Sequence, residues 1–339
     1  MSVLAFCASS RCRATVERES AALEAIRSAR RLALGVITIM LVSGIIFVGL
    51  ELLPGDACTA YLGRAAQGTR LENCRRDFGL ERPALTRYVK WTLGAVRGDF
   101  GVSLKGKKPI SETVGTRFRN TVILGVTASI LGVPLAILLG IIAALWRDRL
   151  PDLWVSTTAI FAMTIPEFVS STVLILIFSV WLGWLPGIVI TRPDAPLFEF
   201  LPDIILPIVV LAFVMTAHIL RMVRTSVIDV MATDYVQMAQ LKGVPYWQMV
   251  FKHVLPNALL PTINLVALTI AWLLGGTLVI EVVFNYPGLG RLMVQAIFFR
   301  DLAMVQAIAL ILATLYVCLN LLADLLTLVA NPRLRTMRT

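Results

Sequence analysis

The sequence predicts an all-α polytopic membrane protein with six transmembrane helices. Hydrophobic residues make up 58% of its 339 residues and charged residues only 15%, whereas soluble domains are about a quarter charged. Two apolar runs carry one polar interruption each, Glu167 in Leu153–Leu185 and His218 in Asp203–Leu220. Four further runs contain no charge and are long enough to cross roughly 30 Å of hydrocarbon; they are Leu32–Leu50, Thr121–Trp146, Val254–Ile280 and Leu302–Ala323.

The distribution of basic residues predicts the orientation. Arginine and lysine number six before residue 32, two in Trp146–Asp152, four in Arg221–His253 and three after residue 330. The short loops on the other side carry only Arg192, Arg291 and Arg300. Because short loops rich in Lys and Arg remain in the cytoplasm, both termini are predicted to be cytoplasmic. This pattern accounts for the net charge of +10 without nucleic acid as a partner.

The N-terminal third divides into a tail, one helix and a long outer loop. Residues 1–31 are interpreted as a solvated, partly helical cytoplasmic tail, and helix one runs from about Leu32 to the turn signal Pro54-Gly55-Asp56. The outer loop, 54–119, holds thirteen basic residues, but loops of about this length cross the membrane regardless of charge. Within it, Pro83–Val96 has the spacing of an amphipathic interfacial helix.

The other helices follow from the apolar runs and their turn residues. Residues 32–330 are thus predicted to form the membrane domain, with an inner loop at 222–259 and a cytoplasmic tail at 331–339. The predicted helices are helix two at Asn120–Trp146, helix three at Leu153–Leu185, helix four ending at His218–Arg221, helix five at about Leu260–Val283, and helix six reaching Ala330.

The inner loop contains two short helices around a glycine. Asp234 and Gln237 have the spacing of a capping box for the first helix. Gly243 ends that helix, since glycine readily takes the left-handed conformation. Pro245 is suited to the first position of the second helix, which is predicted to break before Pro256. Their apolar side chains could lie in a groove of another protein or on the lipid surface, and the residues alone do not choose between these.

The same loop resembles the "EAA" loop of ATP-binding-cassette importer permeases. The resemblance is carried by Ala239, by Gly243 and by the pair Leu255-Pro256. Gln237 and Met238 replace the glutamate and first alanine, as in the dipeptide/oligopeptide/nickel permease branch. Other stretches resemble this branch as well; they are "LLPGD", "FGLERPALTRYVKW", "RGDFGVSL" and "EVVFNYPGLGRLMVQAIFFRD".

The resemblance implies a type I importer permease in a bacterial inner membrane, taking up peptides or a related small solute. Two cytoplasmic ATPase subunits would bind ATP and magnesium, a periplasmic protein would deliver the solute, and a second, related permease would complete the pore in the lipid. This chain itself would bind no cofactor and catalyse no reaction. The coupling loop that docks on the ATPase would use Asp234, Tyr235, Gln237, Ala239, Gly243, Leu255 and Pro256.

Two intramembrane carboxylates are candidates for function, because ionisable groups are costly in a bilayer. Glu167 follows Pro166 within helix three. The pair is predicted either to line the translocation path at a proline kink or to make a structural hydrogen bond. Glu281 lies at the outer end of helix five, and the resemblance implies that its segment forms part of the outer gate. The turn that follows it contains Pro287, Gly288 and Gly290.

The cysteines and the rejected motifs complete the set of predictions. Cys58 and Cys74 share the outer loop, where an oxidising compartment favours a disulfide over two free thiols. The two histidines stand in different contexts, so no metal site is predicted. Gly101–Lys108 nearly matches a phosphate-binding loop, but Lys108 replaces the hydroxyl residue that magnesium needs.

Two alternative functions remain open from the residues. A secondary transporter would need an ion-coupling carboxylate near mid-membrane, for which Glu167 is the candidate. A membrane anchor or receptor would use the inner loop to bind a signalling partner and would transport nothing.

Overall fold

A computed structural model shows a helical bundle and describes residues 10–52, 55–104 and 107–330, with side chains from residue 29 onward except at 60, 197, 274–276 and 324–330. The predicted tails at 1–9 and 331–339 lie outside these ranges. The helices are α1 (Ser10–Glu51), α2 (Ala57–Leu62), α3 (Gly68–Asp77), α4 (Ala84–Val96), α5 (Ile110–Leu145), α6 (Leu150–Thr164), α7 (Glu167–Leu174), α8 (Leu197–Met231), α9 (Asp234–Leu241), α10 (Tyr246–Met249), α11 (Leu255–Val283), α12 (Leu289–Phe298) and α13 (Leu302–Ala330).

The bundle has the lengths and apolarity of a polytopic membrane protein, as predicted. Within the described ranges, five helical segments are long and apolar enough to cross a bilayer, and α6 with α7 brings the number to six if that bent pair is one span. The helix α1 exposes large apolar side chains along its second half, among them Ile37, Leu41 and Ile45. Exposed aliphatic residues in this number are typical of a lipid-facing helix.

The centre of the bundle is the contact between α5 and α8. On α5, small residues recur every fourth position at Ala128, Gly132, Ala136, Gly140 and Ala144, and all of them are buried. A Cβ at Gly140 would lie 2.7 Å from the side chain of Val223 and 2.8 Å from the Leu220 carbonyl oxygen. Such a stripe allows two backbones to approach closely, which is how helices pack where lipid removes the hydrophobic driving force.

Several helices are longer than the apolar runs suggest. The helix α1 begins at Ser10, inside the predicted tail, and α5 begins ten residues before the predicted Asn120. The helix α8 continues eleven residues past Leu220 to Met231, so the loop predicted at 222–259 begins later than expected. The reason is amphipathic packing beyond the apolar run, since Val223 and Val227 on α8 are fully buried.

The predicted third transmembrane helix is broken rather than kinked. Its two parts, α6 and α7, are bent by 107°. Ile165 leaves the helical conformation with φ −81° and ψ 124° because it precedes a proline, and Pro166 then caps α7. The helix α7 continues into a π-helical segment, Ile175–Trp181. The broken span therefore changes direction at Pro166, where the sequence pattern predicts a kink.

Residues 55–104 and 107–109 form a small cap that packs on the ends of α1 and α13. The disulfide Cys58–Cys74 joins α2 to α3 with a Cα–Cα distance of 5.9 Å. On α4, the Tyr88 ring packs against that of Phe47 on α1 in a tilted arrangement, with ring centroids 5.1 Å apart. The opposite side of α4 exposes an apolar stripe at the spacing of an interfacial helix; it consists of Leu85, Val89, Leu93 and Val96.

Candidate functional site

Two groups of predicted functional residues lie at opposite ends of α11. At one end, α9 and α10 precede its first residue, Leu255; at the other, Glu281 lies two residues before its last, Val283. At a rise of 1.5 Å per residue the two ends are about 40 Å apart, more than the hydrocarbon thickness. The two groups therefore belong to opposite membrane faces.

The turn between α9 and α10 depends on one glycine. Gly243 has φ +75°, in the left-handed region. The amide of Gly243 donates to the Gln240 carbonyl at 2.9 Å, and that of Val244 donates to Ala239 at 3.2 Å. These bonds close the C-terminus of α9 in the way glycine-ended helices do, so the direction of α10 depends on the backbone at this residue.

Two local predictions in this segment are wrong. The N-cap of α9 is Thr233 rather than Asp234, and the Gln237 side chain donates to the Ala232 carbonyl at 3.3 Å, so no capping box forms. The second helix also does not break before Pro256. A π-helical turn, Val250–Val254, continues directly into α11, which has Pro256 in its first turn.

The α9–α10 segment, residues 232–254, has a buried side and an exposed side. Val236, Met249 and Val250 are at most 1% exposed and anchor it against the bundle. Tyr235 links the two helices because its hydroxyl donates to the His253 carbonyl at 3.3 Å. The exposed side is strongly apolar and aromatic; it consists of Met238, Leu241, Tyr246, Trp247 and Phe251.

These exposed rings form a continuous surface. Tyr246 and Trp247 pack edge to face at 5.4 Å, and Trp247 stacks on Phe251 at 6.1 Å. Leu241, beside the glycine turn, is 83% exposed. An aromatic surface of this kind on a rigid turn suits the groove of a partner protein.

At the opposite end of α11, Glu281 is fully buried and saturated with donors. Thr121 Oγ1 donates to its Oε1 at 2.7 Å, and the backbone amide of Arg291 donates to its Oε2 at 3.0 Å. The Gly290 amide and the Thr277 hydroxyl also bond to this carboxylate. The carboxylate thus caps the N-terminus of α12, whose free amides and dipole favour an anion.

Gly288 and Gly290 allow α12 to approach Glu281. A Cβ at Gly288 would overlap the Glu281 carboxylate, and a Cβ at Gly290 would lie 2.6 Å from the backbone Cα of Leu278. Neither position has room for a side chain. The two glycines of the Pro287-Gly288-Leu289-Gly290 sequence are therefore required sterically for the contact of α12 with Glu281 and α11.

A set of hydrogen bonds extends this contact to α5 and to the loop before α8. The Tyr286 hydroxyl donates to the Asn120 carbonyl at 2.7 Å, and the Asn120 side-chain amide donates to Pro287 O at 3.0 Å and to Pro193 O at 2.9 Å. Asn285, held at φ +56°, donates to Val189 O at 3.0 Å. In this conformation Glu281 joins α5, α11 and α12 and does not face open space; its part in an outer gate stays a prediction.

Thr121 provides a test of this arrangement. Its hydroxyl donates to Glu281 and accepts from the Leu289 amide at 2.8 Å, so Thr121→Val removes one donor from the buried carboxylate and leaves the buried Leu289 amide without this acceptor. We expect a loss of about 1–3 kcal/mol, visible as a lower Tm of the purified permease. The control is Thr127→Val, because the Thr127 hydroxyl bonds only within its own helix. Equal Tm values for the two variants would contradict the assignment.

Pro166 and Glu167 lie at the break between α6 and α7. Glu167 is half-buried at the first position of α7, and no hydrogen bond from a described residue to its carboxylate is present. Its backbone carbonyl accepts a hydrogen bond from Ser171 Oγ at 2.7 Å. The described structure therefore contains no partner for a structural hydrogen bond to the Glu167 side chain. The position of Glu167 on the translocation path stays a prediction.

Sequence reasoning misses most of the groups that organise these sites. From the sequence, Asn120 and Thr121 mark only the start of a helix, and Tyr286 only a turn. A polar pair at the beginning of an apolar run is the available signal, because buried amides and hydroxyls need partners. The packing of His218 against Trp272, with ring centroids 5.9 Å apart, is a further contact that the sequence does not indicate.

The membrane-length helices and the anchored helix–glycine–helix segment at one face define a polytopic membrane protein. The chain belongs to the family described as binding-protein-dependent transport system inner membrane component, whose model matches residues 136–336. The model of the N-terminal domain of these membrane components matches residues 27–125. The chain is thus a multi-pass inner-membrane protein and the translocation subunit of an importer, a class that is not itself catalytic.

Named relatives cover nearly the whole chain. The glutathione transport system permease protein GsiC of Escherichia coli strain K12 is 36% identical over 298 residues, 88% of this chain and 95% of the relative. GsiC of Shigella boydii serotype 4 is 35% identical over the same lengths. A chain in the crystal structure of an amino acid ABC transporter with histidines aligns with 64% of this chain and over 94% of its own length, with 17% identity and a TM-score of 0.48.

Proposed function

We propose that the α9–α10 segment is the coupling loop through which a cytoplasmic ATPase subunit drives this permease. The observation that carries the proposal is its exposed aromatic and aliphatic surface, with Leu241 83%, Phe251 62% and Trp247 54% exposed. On the cytoplasmic side this surface would lie in a cleft of the ATPase. The lipid-surface alternative is less favoured, because Val236 and Met249 fix the segment rigidly to the bundle rather than leaving it free to lie flat.

Force applied to this segment has a direct route into the membrane. The π-helical turn Val250–Val254 joins α10 to α11 without a break, and Tyr235 ties α9 to the same turn. A displacement of the segment would therefore rotate or shift α11 as a body. At its far end α11 carries Glu281 and through it α12, so the proposed outer gate would move with the coupling loop.

The proposed assembly contains two ATPase subunits that bind ATP and magnesium, a second and related permease, and a periplasmic binding protein. The cap formed by residues 55–104 and 107–109 would lie on the periplasmic side, where its disulfide is chemically stable. Both termini would then be cytoplasmic. The proposed substrates are short peptides of the kind named for the glutathione permeases that this chain resembles. Family membership favours this importer over the secondary-transporter alternative.

Purification of the tagged chain from its native membrane in mild detergent tests the proposed assembly. We expect two ATPase chains and a second permease to co-purify, and ATPase activity to rise when the binding protein and glutathione are added in proteoliposomes. A double variant, Trp247→Ala with Phe251→Ala, removes the exposed rings and is expected to lose the ATPase subunits and to keep the second permease.

The matched control for that variant is Trp184→Ala with Trp181→Ala, two exposed aromatic residues distant in sequence from the coupling loop. It should keep the ATPase subunits. Retention of these subunits by the Trp247 and Phe251 variant would contradict the docking surface, and a chain that purifies alone from its native membrane would contradict the assembly.

A further inference from the structure

A cavity of about 520 Å³ lies among α6, α8 and α11, away from both sites described above. Its wall includes His218 and Arg221 from α8, Trp272 from α11 and Met163 from α6. His218 is about 20 Å from the α9 end of α8, and Trp272 is about 25 Å from the same end of α11, at a rise of 1.5 Å per residue. The cavity therefore opens within the membrane-spanning part of the bundle.

Two arginines on neighbouring turns of α8 have opposite environments. Arg224 is neutralised by Asp152, with Nε to Oδ1 at 2.6 Å and Nη2 to Oδ2 at 2.7 Å. Arg221 is exposed and lines the cavity, and its guanidinium makes no ion pair with any described residue. One arginine thus serves the packing of α6 on α8, and the other presents five N–H donors to the cavity.

The remaining wall is suited to a small organic solute. His218 and Trp272 pack against each other at 5.9 Å with their ring planes inclined by 58°, and Trp272 is still 47% exposed. The Thr225 hydroxyl lies beside them and bonds to the Arg221 carbonyl at 3.0 Å. An exposed indole face next to a free guanidinium offers apolar contact and charge at adjacent positions.

Lipid is an unsuitable environment for this face of α8. An arginine within a transmembrane segment faces a water-filled cavity or a partner charge, because its exposure to hydrocarbon costs several kcal/mol. At about 100° per residue, Phe213 lies about 140° around the same helix from His218 and about 80° from Arg221. It lines a separate groove that is mostly aliphatic and aromatic, with Leu131 and Trp154 in its wall. The helix therefore has one side for lipid and another for water.

We propose that this cavity is a solute-binding surface of the translocation path, where Arg221 binds a carboxylate of the transported molecule and Trp272 packs against its apolar part. The inference rests on the proposed function and adds the substrate chemistry, a solute that carries an anionic group. The forked guanidinium matches a carboxylate, and such charge-assisted pairs are stronger than neutral hydrogen bonds. Short peptides carry this group at their C-terminus.

Thiol labelling in the assembled importer tests the cavity without knowledge of the substrate. In a background with Cys7, Cys12 and Cys318 replaced by serine, His218→Cys is exposed in membrane vesicles to two membrane-impermeant methanethiosulfonates, one anionic and one cationic. We expect the anionic reagent to react about tenfold faster, since a cationic wall concentrates anions. Arg221→Glu should reverse this preference, and Phe213→Cys, on the lipid side, should stay unlabelled.

Uptake assays test the second part of the proposal, the binding of a solute carboxylate by Arg221. Arg221→Gln should lower ATP-driven uptake of glutathione about tenfold or more, because it removes a charge-assisted hydrogen bond. Arg221→Lys should retain part of the uptake. Absence of labelling at His218→Cys, or equal rates for the two reagents, would overturn the cavity even if the importer is active. Failure of the wild type to transport glutathione, with labelling as expected, would instead count against the proposed substrate and keep the cavity.

Discussion

Gly290→Ala is expected to separate α12 from α11 and to destabilise the outer end of the permease by about 3 kcal/mol or more. The new methyl group would meet the Leu278 Cα at 2.6 Å, and a backbone atom cannot move aside. Overpacking alone costs about 1–3 kcal/mol. Displacing α12 adds the cost of unpaired donors at Glu281, about 1–3 kcal/mol for each buried group. The measurement is Tm and yield of the purified chain.

The matched control for that prediction is Gly115→Ala. Gly115 lies on α5, and a methyl group added to it would meet no atom within 4 Å, so the substitution should leave Tm unchanged or raise it slightly. A Gly290→Ala protein as stable as Gly115→Ala would show that the close approach of α12 to α11 is not required.

Gly243→Val is expected to leave the protein inserted in the membrane but to abolish coupled transport. A Cβ at this position would meet nothing within 4 Å, so the effect comes from the backbone rather than from a clash. At φ +75° an ordinary side chain costs about 1–2 kcal/mol, and a β-branched one costs more. The segment would relax to another turn and reorient α10. ATP-driven uptake should fall at least about tenfold, because a loss of roughly 1.4 kcal/mol in the free energy of docking lowers the docked population by that factor.

Gly243→Asn distinguishes the cost of the left-handed backbone conformation from the effect of replacing glycine by any residue with a side chain. Asparagine enters the left-handed region more readily than other residues with a side chain. It should therefore retain more uptake than valine at equal amounts of protein in the membrane. Normal uptake by Gly243→Val would remove the conformational basis for the coupling-loop assignment.

Much of the fold can be predicted because hydrocarbon accepts few structures. Uncharged runs such as Thr121–Trp146 have to be helical in a bilayer, since each backbone amide must find its acceptor within the segment. Helix ends are harder to predict. The extensions of α5 to Ile110 and of α8 to Met231 consist of polar sequence with one buried side, which is recognisable only when the packing partner is known.

The candidate sites divide in the same way. The turn at Gly243 follows from the preference of glycine for positive φ, a local property that does not depend on the rest of the chain. The capping box at Asp234 is also a local prediction, but it is wrong because Thr233 occupies the N-cap position. The role of Gly290 depends on Leu278, twelve residues away on another helix, so no local rule could identify it.

By itself, the sequence determined the membrane environment, five or six spans and the glycine turn, because these depend on composition, apolar length and local backbone preference. The class of transport component came from the resemblance of its motifs to a known permease family. Only the tertiary structure decided that Glu281 is the buried cap of α12, that Arg224 is paired whereas Arg221 makes no ion pair with a described residue, and that the third span bends by 107° at Pro166. The physical reason is that a charge or a carboxylate acquires its role from the donors and acceptors around it. Those neighbours come from helices distant in sequence, whose packing follows from small residues such as Gly132 and Gly140.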